Sequence, residues 1–147
     1  MIGPMVLRSG LLSVVLAACV MFASPALAET ISFKADLKAS EEVPANDSKG
    51  TGTVTATYDT ASKKLTWKGN YSGLTGPATM AHFHGPAEPG KNAGVAVPIT
   101  PSTSPFENSA NLTDAQAADL LAGRWYVNVH TAAHPGGEIR GQLVKGM

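Results

Sequence analysis

The chain has 147 residues, 44% of them hydrophobic, with eleven basic and eleven acidic side chains and no net charge at neutral pH. Neither sign is clustered, so electrostatics give no reason to propose nucleic acid or an anionic membrane surface as a partner. The single cysteine, Cys19, leaves no intrachain disulfide to form, and stability must come from packing, assisted or not by a metal.

Residues 1–28 read as an export signal: Arg8, an apolar stretch from Leu11 to Phe22, then Pro25 and the small-residue end Ala26-Leu27-Ala28 before Glu29. This implies a periplasmic or secreted protein. An alternative is a lipid anchor through Cys19, since Leu16-Ala17-Ala18-Cys19 has the form of a bacterial lipobox. The residues after Cys19 stay apolar where a lipoprotein tether is usually polar, which favours soluble export. Cleavage after Ala28 leaves roughly 120 residues, enough for one domain, 29–147, with a single core. Beyond the signal no apolar run approaches the ~20 residues of a membrane-spanning helix.

The mature chain opens on strict alternation. Ile31, Phe33, Ala35 and Leu37 share one face and Ser32, Lys34, Asp36 and Lys38 the other, the period of a half-buried strand. After the polar loop SEEVPANDSKG the pattern returns over 51–58, with Val54, Ala56 and Tyr58 opposite Thr53, Thr55 and Thr57. The turn-like segment 59–63 then joins this strand to Leu65, Trp67, Gly69 and Tyr71, predicting a hairpin in which Gly69 marks a bulge or a close approach.

Short apolar runs follow at 81–84 and 95–99, separated by a loop rich in Pro and Gly. Pro98 has no N–H for a ladder, so its strand is expected at an edge or to end there. Residues 100–111 contain Pro101 and Pro105 with little periodicity and read as an irregular connection. Thr113 and Gln116 match a capping box, predicting a short helix near 114–122 that Gly123 terminates. Two last strands are expected at 124–131 and 138–144. The sum is an all-β fold, an antiparallel Greek-key-like β-sandwich or barrel with one short helix.

All four histidines lie in two short segments, His82 and His84 in MAHFHGPA and His130 and His134 in NVHTAAHPGGE. Imidazole is the commonest protein metal ligand and titrates near neutral pH, so the grouping predicts one composite site. Strand phase supports it. If Ala81 and Phe83 enter the core, Met80, His82 and His84 share the other face; if Trp125, Val127 and Val129 do, Tyr126, Asn128 and His130 lie opposite. With the two strands adjacent, His82, His84 and His130 would converge, with His134 as a fourth candidate in the following turn. Such a set suits copper first and zinc second, and the Met80 sulfur would help to retain Cu(I). The plainer alternative leaves the histidines hydrogen-bonded on a solvated sheet face and Met80 as packing.

The segments FKADLKASEEVP, GTGTVTATYD, AHFHGPA and YVNVHTAAHPGGEIRGQL resemble the CHRD domain, the module repeated in chordin and found singly in exported bacterial proteins. The resemblance covers residues 31–144 and implies an extracytoplasmic β-sandwich, with little about activity. HFHG and VHT are also similar, more distantly, to the His-x-His of copper–zinc superoxide dismutase. Four histidines are too few for both of that enzyme's metal sites, so the resemblance implies at most a copper site of related geometry.

Other chemistry is sparse. Glu41 and Glu42 are expected in a polar loop, pointing apart, and make no acid/base pair. Glu138 and Arg140 share a strand face and are expected to form a surface ion pair, with Glu138 orienting an imidazole as the functional alternative. No G-x-S-x-G elbow, phosphate loop or dinucleotide fingerprint occurs. The leading expectation is therefore a non-enzymatic metal-binding protein, with a protein- or polymer-interaction module as the alternative and superoxide chemistry third.

Overall fold

The computed structural model describes Gly3 and residues 23–146. Most of the expected export signal, Cys19 included, lies outside these residues, while 23–28 are exposed and without regular structure. Among the described residues no helix is long and apolar enough to cross a membrane.

Nine strands and one α-helix follow in the order β1 (Thr30–Lys38), β2 (Thr51–Asp59), β3 (Lys64–Ser72), β4 (Ala78–His84), β5 (Val95–Pro98), β6 (Phe106–Asn111), α1 (Asp114–Leu121), β7 (Tyr126–Thr131), β8 (Ile139–Gln142) and β9 (Val144–Lys145). All strand pairs are antiparallel, in the spatial order β5-β4-β7-β8-β1-β2-β3-β6, with β9 paired to β1. The sheet curls into a barrel-like shape that is nearly closed and encloses one core. β1 is the hinge of the topology. One edge pairs with β2 along its full length, and the other meets β8 at Lys38↔Arg140 and β9 at Phe33↔Lys145.

Alternation places the core as read from the sequence. Phe33, Ala35 and Leu37 of β1, Val54, Ala56 and Tyr58 of β2, and Leu65 and Trp67 of β3 are buried. They meet Ala81 and Phe83 of β4 and Val127 and Val129 of β7 across the interior. Trp67 packs edge-on against Phe83 with centroids 5.1 Å apart, and Trp125 meets the same ring at 5.8 Å. The capping box of α1 forms, with Gln116 N donating to Thr113 Oγ1 and Thr113 N to Gln116 Oε1. Its Leu120 is fully buried in the core.

Two expectations need correction. Residues 106–111, read as part of an irregular connection, form β6, which pairs with β3 from Lys64↔Asn111 to Gly69↔Phe106. Phe106 is the sole member of the strand to be fully buried, so there was no apolar alternation to read. A Cβ on Gly69 would stand 2.5 Å from Phe106 Cζ, so the close approach there is by an aromatic ring. The final strand is also broken at Leu143, whose N–H turns inward to Trp125 O, dividing β8 from β9.

Candidate metal centre

β4 and β7 are neighbours, with Met80↔His130, His82↔Asn128 and His84↔Tyr126 directly opposed. The register shifts before His-x-His, between Ala78 and Met80 against β7, and within it, between Phe83 and His84 against β5. Bulges of this kind re-aim side chains, and they recur beside functional sites. His82, His84 and His130 each present one nitrogen within 4.8 Å of the others. His82 Nδ1 and His130 Nε2 are 3.1 Å apart, with ring centroids at 5.0 Å. Two imidazole nitrogens bound at about 2.0–2.1 Å to one ion, roughly at a right angle, stand ~3 Å apart, so this spacing fits shared ligation.

Backbone carbonyls set the tautomers. A carbonyl only accepts, so the ring nitrogen facing it carries the proton. His84 Nδ1 donates to Ala93 O at 3.0 Å and His130 Nδ1 to Pro135 O at 2.9 Å. Both rings are left with a bare Nε2, the arrangement that orients histidine ligands in metal sites. In the free protein His82 Nδ1–H then donates to His130 Nε2. His84 Nε2 is buried without any partner. Burial holds the pKa of His82 and of His84 below the usual imidazole value, and the neighbouring imidazoles add to the effect. The rings are thereby kept in the neutral form that ligation requires.

The loops around 39–50 and 85–94 cover much of this face, so it is largely dry. Every residue of β7 is buried. Tyr126 stacks on His84 with centroids 4.8 Å apart and planes 5° from parallel, and its hydroxyl accepts from Ala93 N and donates to Ala93 O. Above Tyr126 the Arg140 guanidinium lies 3.5 Å from the ring centroid, a cation–π contact in a desolvated setting. Arg140 also donates to Asn92 Oδ1 at 2.9 Å and Lys91 O at 2.6 Å, fastening the second loop to β8.

The expected surface ion pair between Glu138 and Arg140 is not present; both are buried, at 0% and 2% exposure, with different partners. Glu138 accepts from Ser48 Oγ, Thr75 N, Thr75 Oγ1 and Thr131 Oγ1 at 2.6–2.9 Å. Burial opposes its ionisation, but the four donors prevail and hold its pKa down to about 2. It contacts none of the imidazoles through these bonds and ties two loops to the end of β7.

Glu42, expected in a polar loop, is instead 6% exposed, whereas Glu41 is solvated and pairs with Lys38. Burial pushes its pKa up to about 7 against the opposing pull of Arg140 and an Asn128 hydrogen bond. Asn128 connects this carboxyl to the histidines. Its amide nitrogen donates to Gly136 O, and its side chain lies beside the Glu42 carboxyl and against His84. Five buried side-chain polar atoms lack partners among the described residues, and Glu42 Oε1, Asn128 Oδ1 and His84 Nε2 are three of them. Sequence reading missed Glu42 and the burial of Asn128 because both depend on the overlying loops. Gly137 makes the fit possible: its φ is +126°, and a Cβ there would stand 2.6 Å from Asn128 Nδ2 and closer still to Glu42.

His134 lies outside the group of three. Its backbone builds the turn, with His134 N donating to Thr131 O and its carbonyl accepting from Thr131 N and Gly137 N. Two open concavities of about 550 and 1020 Å³ occur over the outer face of β1, β2, β3 and β6, and neither is lined by a histidine.

No curated protein and no solved structure gave a significant match to the chain. The family model for the CHRD domain matches residues 33–143. That span runs from the core face of β1 to Leu143 and includes His82, His84, His130, Glu42 and Asn128, so the chain is a member of the CHRD-domain family.

Proposed function

We propose that this CHRD-domain protein binds a transition metal, copper before zinc, through His82, His84 and His130, and that it handles metal outside the cytoplasm. The observation that carries this reading is the convergence of three imidazoles, two with tautomers set by carbonyls and one with a buried, unpartnered Nε2. The donors come from two strands far apart in sequence, so the barrel holds them ready before any ion arrives. An all-imidazole set without carboxylate or thiolate suits copper and zinc and disfavours magnesium or calcium. The export reading of residues 1–28 supplies the compartment. His134 is assigned to the turn in this reading.

Titration of Cu(II), Cu(I) and Zn(II) against a competing chelator tests it, using untagged protein beside the His82→Ala/His130→Ala double variant. Stoichiometric sub-micromolar binding that the double variant abolishes is the expected result. Weak binding that survives both substitutions would remove the metal reading and leave an interaction module.

A further inference from the structure

Met80 stands directly opposite His130 across the β4–β7 pair and shares the outer face of β4 with His82 two residues on. A register shift between Ala78 and Met80 sets this position. Directly opposed residues on neighbouring strands have Cβ atoms about 4.5–5.5 Å apart, and the methionine side chain is unbranched and flexible, so its sulfur can swing over the face that His130 and His82 share.

Packing does not account for this residue. Ala81 and Phe83 on the other face of β4 are 2% and 0% exposed, while Met80 is 49% exposed. The three histidines also differ in exposure, His84 and His130 being buried and His82 half-buried. The centre is therefore closed on the side of Ala93 and Pro135 and open on the side of His82 and Met80. The open side holds a soft thioether, and among the described residues no cysteine or carboxylate joins the group of three.

We infer that the Met80 thioether is the fourth donor of the histidine centre, making a three-imidazole, one-thioether site that selects copper and favours Cu(I). This rests on the metal reading above and adds to it the fourth ligand and the oxidation state. Zinc gains little from a thioether, whereas Cu(I) gains a soft ligand, so Met80 separates the two ions where the imidazoles alone do not.

X-ray absorption at the copper edge tests the assignment on full-length untagged protein loaded with one equivalent of Cu(I), as wild type and as Met80→Leu. A sulfur shell beside a nitrogen shell is expected in the wild type, with the sulfur lost and the nitrogens kept in Met80→Leu. That difference assigns the sulfur to Met80 rather than to Cys19 or another methionine. Cu(I) affinity should fall about tenfold or more in the variant and Zn(II) affinity should change less than about twofold. An exposed Met→Leu change leaves thermal stability nearly unaltered, which a melting curve verifies. A nitrogen-only copper spectrum in the wild type, or unchanged Cu(I) affinity in Met80→Leu, overturns the Met80 assignment while the histidine centre stands. A wild type that takes up no copper overturns both.

Discussion

The barrel has two outer faces that alternation marks alike as polar, and they have opposite fates. On β1, β2, β3 and β6, antiparallel register aligns Ser32, Thr57, Thr66 and Ser109 in one row and Lys34, Thr55, Lys68 and Glu107 in the next. Thr57, Thr66 and Lys68 are exposed. On β7 and β8 the corresponding positions, Tyr126, Asn128, His130 and Arg140, are buried beneath two loops. Period two says which side chains avoid the core; it does not say which of them meet water. Where loops cover the sheet, each polar group needs a protein partner or stays unsatisfied, and three of the five unsatisfied atoms among the described residues belong to His84, Asn128 and Glu42.

Substitutions should separate the two faces in order of effect. Glu138→Ala is expected to be the most damaging, by about 3 kcal/mol or more in urea denaturation, because four donors, the buried Thr131 hydroxyl among them, lose their acceptor. Its pH signature follows from a folded pKa of about 2 against an ordinary carboxyl value of 4.5. The stabilisation is complete above about pH 4.5 and is lost as pH falls toward 2, so Glu138→Gln should flatten that limb of the stability curve.

Glu42 has the reverse sign. Its pKa is about 7 in the fold against 4.5, so the folded state holds a proton that the unfolded chain gives up. Its contribution is present below about pH 4.5 and is lost as pH rises through 7. Glu42→Gln cannot ionise and should be more stable than wild type at pH 8, by about 2–3 kcal/mol at most, with the gap closing toward pH 4.5. A constant gap across that range would show that Glu42 is solvated, and the contrast between the faces would fail there.

Gly137→Ala should cost about 2 kcal/mol, since it combines a φ of +126° with a clash against Asn128 and Glu42. Thr66→Val and Lys68→Ala, on the solvated face, should each change stability by less than about 0.5 kcal/mol. Losses above 2 kcal/mol at either position would mean that the hydroxyl rows are covered as well, and the distinction would collapse.

Much of the fold was legible. The phases of β1, β2, β3, β4 and β7 and the capping box of α1 came from local alternation and residue type, because each strand presents one face to a single core. β6 was not legible, since an edge strand with one buried side chain carries almost no apolar pattern. The convergence of His82, His84 and His130 was readable only conditionally, as phase places them on one surface solely if β4 and β7 pair. Glu42 gave no local signal at all, and Glu138 and Arg140 gave a misleading one, because same-face spacing looks identical for a solvated pair and for two buried groups with separate partners.

The sequence by itself determined the all-β class, the core face of most strands and the two segments that supply the histidines, since these follow from period-two burial and composition. Tertiary structure decided which strands lie side by side, which polar face is dry and which carbonyls orient the imidazoles. Those depend on contacts between residues tens of positions apart, such as His82 with His130, Ser48 with Glu138 and Asn92 with Arg140. No local pattern encodes such contacts, because they form only when chain closure brings the two loops down over the sheet.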